Sequence, residues 1–182
     1  FRRMAKRSTH MVRKQHIENV SDYANQIDRA IPKGILLTNK AGDKVNSMTI
    51  GWGTLGTNWN RPVFVAYVRT HRSTVALLDK SPEFTSTPVG DLDRRVVGIC
   101  GSKRGDEVAL ASLSLVDSDV VSVPGIAELP LTLECRVVYR QRKELSLYPP
   151  EILEEYYPQD NRQLRNRFKQ GRAHRLLLQE VQ

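Results

Sequence analysis

Three short stretches place small, hydroxyl-bearing and basic residues where they could do chemistry together. The first is Asn46-Ser47-Met48-Thr49-Ile50-Gly51-Trp52-Gly53, a strand-like run in which two glycines flank a tryptophan. Glycine removes the steric wall of a Cβ, so a flat ligand could approach the backbone there. A bulge beside a core tryptophan is the plainer alternative. The second is Val68-Arg69-Thr70-His71-Arg72-Ser73-Thr74, at an expected strand-to-helix junction. Two arginines and three hydroxyls beside unpaired helix amides suit an anion, or else form an ordinary helix cap with solvated arginines. The third, Cys100-Gly101-Ser102-Lys103-Arg104-Gly105, reads as a turn that could offer amides, a hydroxyl and a charge to a phosphate. Its spacing matches neither a P-loop nor a dinucleotide-binding fingerprint.

Metal chemistry has little support. His10, His16, His71 and His174 are scattered, and Cys100 and Cys135 lack zinc spacing. Cys135 reads as a buried small hydrophobe on a strand face, and Cys100 as the cysteine more open to chemistry. With no histidine beside Cys100 in sequence, a thiol nucleophile is disfavoured and no catalytic acid or base is assigned.

The elements that must position these stretches follow from periodicity and punctuation. Ile17, Val20, Tyr23, Ala24 and Ile27 recur at helical spacing over residues 18–31, ending before Pro32. Strands are expected at Gly34–Thr38, Val45–Trp52, Pro62–Val68, Glu83–Val89, Leu131–Tyr139 and His174–Val181. Ala41-Gly42-Asp43 marks a hairpin turn, and Gly53–Asn60 reads as a loop rich in Gly, Thr and Asn. Thr70–Lys80 is expected to be a helix capped by Ser73 or Thr74. Further helices are expected at Asp106–Leu115, at Pro149–Tyr157 and in the basic stretch around Leu164 and Phe168. The order is mainly consecutive strands with peripheral helices, which points to an antiparallel barrel or sandwich.

The chain has 182 residues, 40% hydrophobic and 26% charged, which suits one globular domain. No apolar run reaches the roughly 20 residues of a membrane-spanning helix, and no secretory signal pattern is visible. The expectation is a cytoplasmic protein with a basic arm over residues 1–17 and a single domain over 18–182. Net charge is +8, but residues 1–17 and 161–179 together hold 12 of the 28 Lys and Arg and no acid. The rest of the chain is therefore net acidic. That distribution, with only 7% aromatic residues, disfavours a nucleic-acid surface.

Taken in order, the three stretches, with Ile126-Ala127-Glu128 and Leu133-Glu134-Cys135-Arg136, resemble the flavin reductase-like family of FMN-binding split barrels. The resemblance implies a mainly β fold with peripheral helices, a six-stranded antiparallel Greek-key split barrel that forms a homodimer with FMN at the interface. It implies cofactor contacts from Asn46, Ser47, Met48, Thr49, Trp52 and Gly53 around the ring. Arg69, Thr70, Arg72 and Thr74 would lie on the phosphate side, Ser102 and Lys103 at a second clamp, and His174 near the substrate side. The implied activity is hydride transfer from NADH or NADPH to flavin, then to a flavin, oxygen or an electron-transfer partner. Two other readings remain open: an FMN-binding electron carrier or flavin store, and a flavin-free basic binding module. The chain departs from the family pattern at Asp106-Glu107-Val108-Ala109 and at Arg172-Ala173-His174-Arg175.

Overall fold

The computed structural model describes residues 14–70, 72–87, 94–102, 113–157 and 174–181. The first 13 residues of the basic arm, most of the expected 106–115 helix and the basic stretch before His174 lie outside them.

A 3-10 turn, Val20–Tyr23, leads into helix α1 (Ala24–Ala30), with Asn19 accepting from the Ser21 amide as its cap. A second 3-10 turn holds Pro32 and ends at Gly34. Gly34 is required on two counts. Its φ of 97° is one that side chains resist, and a Cβ there would lie 2.8 Å from Val97 Cγ1 and 2.9 Å from Thr49 Cγ2.

Strands β1 (Ile35–Ala41) and β2 (Lys44–Ile50) form a hairpin in full register, from Ile35 opposite Ile50 to Ala41 opposite Lys44. Gly42 occupies the first turn position with φ 61°. The expected loop at 53–60 is instead strand β3 (Gly53–Asn58), paired with β4 (Arg61–Val68). Its threonines favour extended backbone, and the half-exposed strand lacks the apolar alternation that marks buried ones. The turn is only Trp59-Asn60, both left-handed at φ 50° and 59°.

Helix α2 (Ser73–Lys80) crosses from β4 to β5 (Glu83–Thr87). Arg72 is its N-cap, without a side-chain cap bond, so Ser73 and Thr74 lie inside the helix rather than capping it. The stretch from Cys100 that reads as a turn instead begins inside helix α3 (Arg94–Ser102) over its described part. Valine, glycine and cysteine are weak helix formers, but packing decides here. Val96, Val97, Ile99 and Cys100 close on Leu36, Ile126 and Leu129 as a second core cluster. Cys100 is buried in it, contrary to the exposed role expected of it.

A short ribbon joins β6 (Leu115–Val116) to β7 (Gly125–Ile126), so the expected helix does not extend to Leu115. Strand β8 (Leu133–Lys143) starts two residues later and runs four residues further than its hydrophobic alternation suggests. Its outward half is exposed and polar, and a bulge interrupts its pairing between Val137 and Tyr139. Helix α4 (Pro150–Tyr156) and strand β9 (His174–Val181) complete the described elements.

The seven-stranded sheet runs β2-β1-β5-β8-β9-β4-β3, every pairing antiparallel. Its two edge strands, β2 and β3, are continuous through Gly51-Trp52. Taken as one bent strand they close the sheet into a six-stranded barrel, which removes both edges. The β4 to β5 connection crosses to the far side of β1, the Greek-key step. Ile35, Leu37, Met48, Ile50, Phe64, Phe84, Leu133 and Cys135 fill the interior. Among the described residues no helix is long and apolar enough to cross a membrane.

Candidate functional site

Trp52 stands where β2 bends into β3, with its carbonyl accepting from the Tyr67 amide at 3.3 Å. It is half-buried, and α4 delivers two ring edges to it. Tyr157 lies 5.8 Å away at 60° and Tyr156 6.2 Å away at 78°, centroid to centroid. These edge-to-face contacts suit the ring quadrupoles. The Arg69 guanidinium sits 5.6 Å from the Trp52 centroid, at the outlet of β4. A Tyr148–Tyr157 contact at 5.8 Å extends the group, and the Lys143 ammonium lies 3.8 Å from the Tyr67 ring and 5.3 Å from that of Tyr148. Five aromatic rings and two cations thus gather at one end of β4 and β8. The Tyr156 phenol is held above its usual value by its hydrogen bond to Glu155 and by that residue's charge.

The two glycines beside Trp52 differ in purpose. A Cβ at Gly53 would come within 2.7 Å of the Val65 carbonyl and 3.3 Å of the Phe64 ring, so that glycine serves the chain's own β3–β4 packing. Gly51 meets only the Ile31 carbonyl at 3.8 Å, leaving open space before its backbone. Gly53 pairs in regular register with Ala66, so there is no bulge at it, and the ligand-approach reading keeps only Gly51.

A second group joins the β1–β2 hairpin to the start of α2. Asn46 Nδ2 donates to Thr74 Oγ1 at 2.9 Å and to Asn39 Oδ1 at 3.2 Å. Asn39 Nδ2 donates to the Thr74 carbonyl at 3.2 Å, and Ser73 Oγ to Asn46 Oδ1 at 3.3 Å. Asn39, Asn46 and Thr74 are almost wholly buried. Buried amides must be bonded, and this set fixes the first turn of α2 against the barrel. Just before it come exposed Arg69, half-buried Thr70 and Arg72, whose amide donates to the Arg69 carbonyl at 3.0 Å. First-turn amides of a helix and adjacent guanidinium groups together favour an anion.

The remaining expected residues are more dispersed. Ser47 is buried, sharing a 2.7 Å hydrogen bond with Thr38. Met48 is turned into the core, so a ligand would meet its backbone rather than its thioether. Thr49 Oγ1 donates to the Val97 carbonyl at 2.6 Å, tying β2 to α3. Ser102 ends α3, and Lys103 lies outside the described residues. His174 opens β9 opposite Lys143, one residue beyond the Val68–Arg175 pair, which brings its backbone to the strand end that carries Arg69. Asn39, Tyr67, Lys143, Tyr148 and Tyr157 were not foreseen. Of these, Asn39 carried a usable signal: a polar residue on the apolar face of a strand predicts a bonded partner.

Burial pushes the Cys135 thiol well above its ordinary value, aided by the charge of Glu134, so it is no nucleophile at neutral pH. Among the described residues no group of His, Cys, Asp and Glu is placed to hold a metal ion.

No family model matches the sequence. Solved structures do resemble the fold. Flavoredoxin from Methanosarcina acetivorans superposes with a TM-score of 0.58 at 19% identity, over 81% of this chain and 64% of its own length. An FMN-binding protein from Thermus thermophilus gives 0.59 at 16% identity, over 82% and 68%. Nitrilotriacetate monooxygenase component B from Bacillus cereus gives 0.60 at 17%, over 92% and 75%. The chain therefore spans just under two thirds of flavoredoxin's length. At these identities the likeness is one of fold, and the fold is that of the FMN-binding, flavin reductase-like split barrels.

Proposed function

We propose that this protein binds FMN and acts as a flavin reductase-like oxidoreductase, taking hydride from NADH or NADPH and passing electrons to a flavin, oxygen or a partner protein. The observation that supports this most is the conjunction, on one split-barrel fold, of the open backbone at Gly51-Trp52 with Arg69 and Arg72 beside the start of α2. FMN needs a flat cleft and a place for a phosphate of charge near −2. The residues present suit both needs. Arg69 and Arg72 would hold the phosphate by charge-assisted bonds, with Thr70 as a hydroxyl donor. The backbone from Met48 to Gly51 and the Trp52 ring would border the flat part, and the α4 tyrosines would shield Trp52 from water. The bound flavin supplies the hydride-accepting ring; the protein's own work is orientation and exclusion of solvent.

In this reading the protein is a homodimer with flavin at the subunit interface, so dilution to monomer releases the cofactor. Flavin retained by a verified monomer would count against that arrangement. The first test of the function is the visible spectrum of purified protein under anaerobic conditions. Flavin bands that bleach on addition of NADH or NADPH support the reductase. Bands that bleach only with dithionite make it an FMN carrier instead, and a colourless protein that refuses added FMN overturns the assignment.

A further inference from the structure

A cavity of about 530 Å³ opens between the segment leading into α1 and the chain from Val116 to Glu134. It shares no lining residue with the Trp52 group. It reaches Pro62, near the start of β4, whereas Trp52 bonds Tyr67 five residues further on, about 17 Å along the strand. Its size is that of a small-molecule site.

About half of its lining is apolar, with Val20, Tyr23, Ile126, Leu129 and Leu131 contributing. The mouth is charged. Glu134 lines it, but its carboxylate is engaged by the backbone amides of Asp119, Val120 and Val121, at 2.9, 2.6 and 3.2 Å. Among the described lining residues, Glu18, Asp117 and Asp119 then stand against the Lys14 ammonium, with the His16 imidazole beside them. In a chain of net charge +8, the described lining of this cavity holds more carboxylates than cations. The protein also shows how this mouth receives an ammonium. Lys14 Nζ donates to the Asp117 carbonyl and sits 3.2 Å from Asp119 Oδ1.

We propose that this cavity binds an apolar amine, whose hydrocarbon or aromatic body enters the wall of Val20, Tyr23 and Leu129 while its ammonium takes the place Lys14 now holds between Asp117 and Asp119. Lys14 is then a tethered competitor that any incoming ammonium must displace. An anionic ligand of the same shape meets three carboxylates and is excluded. The proposal does not depend on the flavin reading, because the two sites have no residue in common.

The experiment uses the full chain and two probes of matched body and opposite charge, 4-phenylbutylamine and 4-phenylbutanoate, with binding followed by isothermal titration calorimetry at pH 7. The amine is expected to bind saturably and at least about tenfold more tightly than the acid, since each charge contact at a wet mouth is worth of order 1 kcal/mol. Asp119→Asn weakens amine binding about fivefold, and Lys14→Gln strengthens it by a similar factor. Ile17→Trp, which fills the cavity from its half-exposed wall, abolishes it. Thermal melts confirm that each variant is folded. Equal binding of amine and acid, or amine binding unmoved by both Lys14→Gln and Ile17→Trp, overturns the proposal.

Discussion

Thr74 is the residue on which the resemblance and the structure make the most divergent claims, so Thr74→Val is the most informative substitution. The resemblance places Thr74 on the phosphate side of the cofactor; in the structure the residue is 1% exposed and its hydroxyl oxygen accepts from Asn46 Nδ2 at 2.9 Å. Valine has nearly the same shape, so the substitution largely keeps the packing while it deletes the hydroxyl and with it the acceptor for Asn46. Losing a hydrogen-bond partner at a buried amide costs about 1–3 kcal/mol. For a chain of this length each kcal/mol lowers Tm by about 3 °C, so a drop of about 3–9 °C is expected. Urea unfolding at pH 7 gives the free energy directly, and Thr74→Ser, which keeps the hydroxyl, is expected to recover most of it. The affinities for FMN and riboflavin separate the two roles. If Thr74 acts through α2 and the barrel, the valine variant loses stability while its preference for FMN over riboflavin changes little. Unchanged stability with a collapsed FMN preference would refute the buried-network argument and return the hydroxyl to the phosphate.

Arg72→Ala should weaken FMN binding by about 1.5–3 kcal/mol, the loss of a charge-assisted bond, while riboflavin affinity stays the same; equal losses for both ligands would show the arginine is not at the phosphate. Gly34→Ala should destabilise the fold by about 2–4 kcal/mol, since it combines a φ of 97° with methyl contacts at 2.8 and 2.9 Å from α3 and β2; a melt within 1 °C of wild type, a threshold of roughly 0.3 kcal/mol, would contradict that packing. Glu83 gives a pH signature. Burial raises its carboxyl, but the amide and hydroxyl of Ser122 and the Arg136 guanidinium outweigh this and hold it below its ordinary value. A lowered carboxyl contributes stability that is complete above the unfolded value of about 4.3 and is lost as pH falls further. Glu83→Gln should therefore flatten the decline in unfolding free energy between pH 5 and about 3.5, and an unaltered slope would exclude Glu83 as a contributor.

Much of the barrel was legible because strand-forming residues announce themselves. Ile35-Leu36-Leu37 and Pro62–Val68 are apolar on both faces, as strands covered on both sides must be, and Gly42 marks the β1–β2 turn. What escaped was decided by tertiary contact rather than by local preference. Gly53–Asn58 has one apolar side chain, Leu55, packed on the core, too little alternation to signal a strand, and β3 is held mainly by its pairing with β4. The Arg94–Ser102 segment looks like a turn until Leu36 and Ile126 give Val97 and Cys100 something to pack against. The site divides along the same line. Arg69, Arg72 and Trp52 stand out by residue type within one stretch each. The α4 tyrosines and Lys143 come from far along the chain: packing of α4 brings the tyrosines to Trp52, and the β8–β9–β4 register brings Lys143 to Tyr67.

That division also bears on how the two ends of β4 came to carry opposite chemistry. Charge in this chain is segregated by position in the fold. Carboxylates cluster where the 114–134 region must be fastened: Glu83 bonds Ser122, Glu128 the Ser114 amide, and Glu134 three consecutive amides. Those bonds are structural, since a region with so little regular structure must find acceptors for its N–H groups among side chains. They also leave Asp117 and Asp119 on a cavity where, among the described residues, the Lys14 ammonium opposes them. At the far end of β4 the cations Arg69 and Lys143 lie over aromatic rings, a setting that favours an anion. One strand thus links a cationic aromatic end suited to a phosphate-bearing ligand with an acidic apolar cavity suited to an amine.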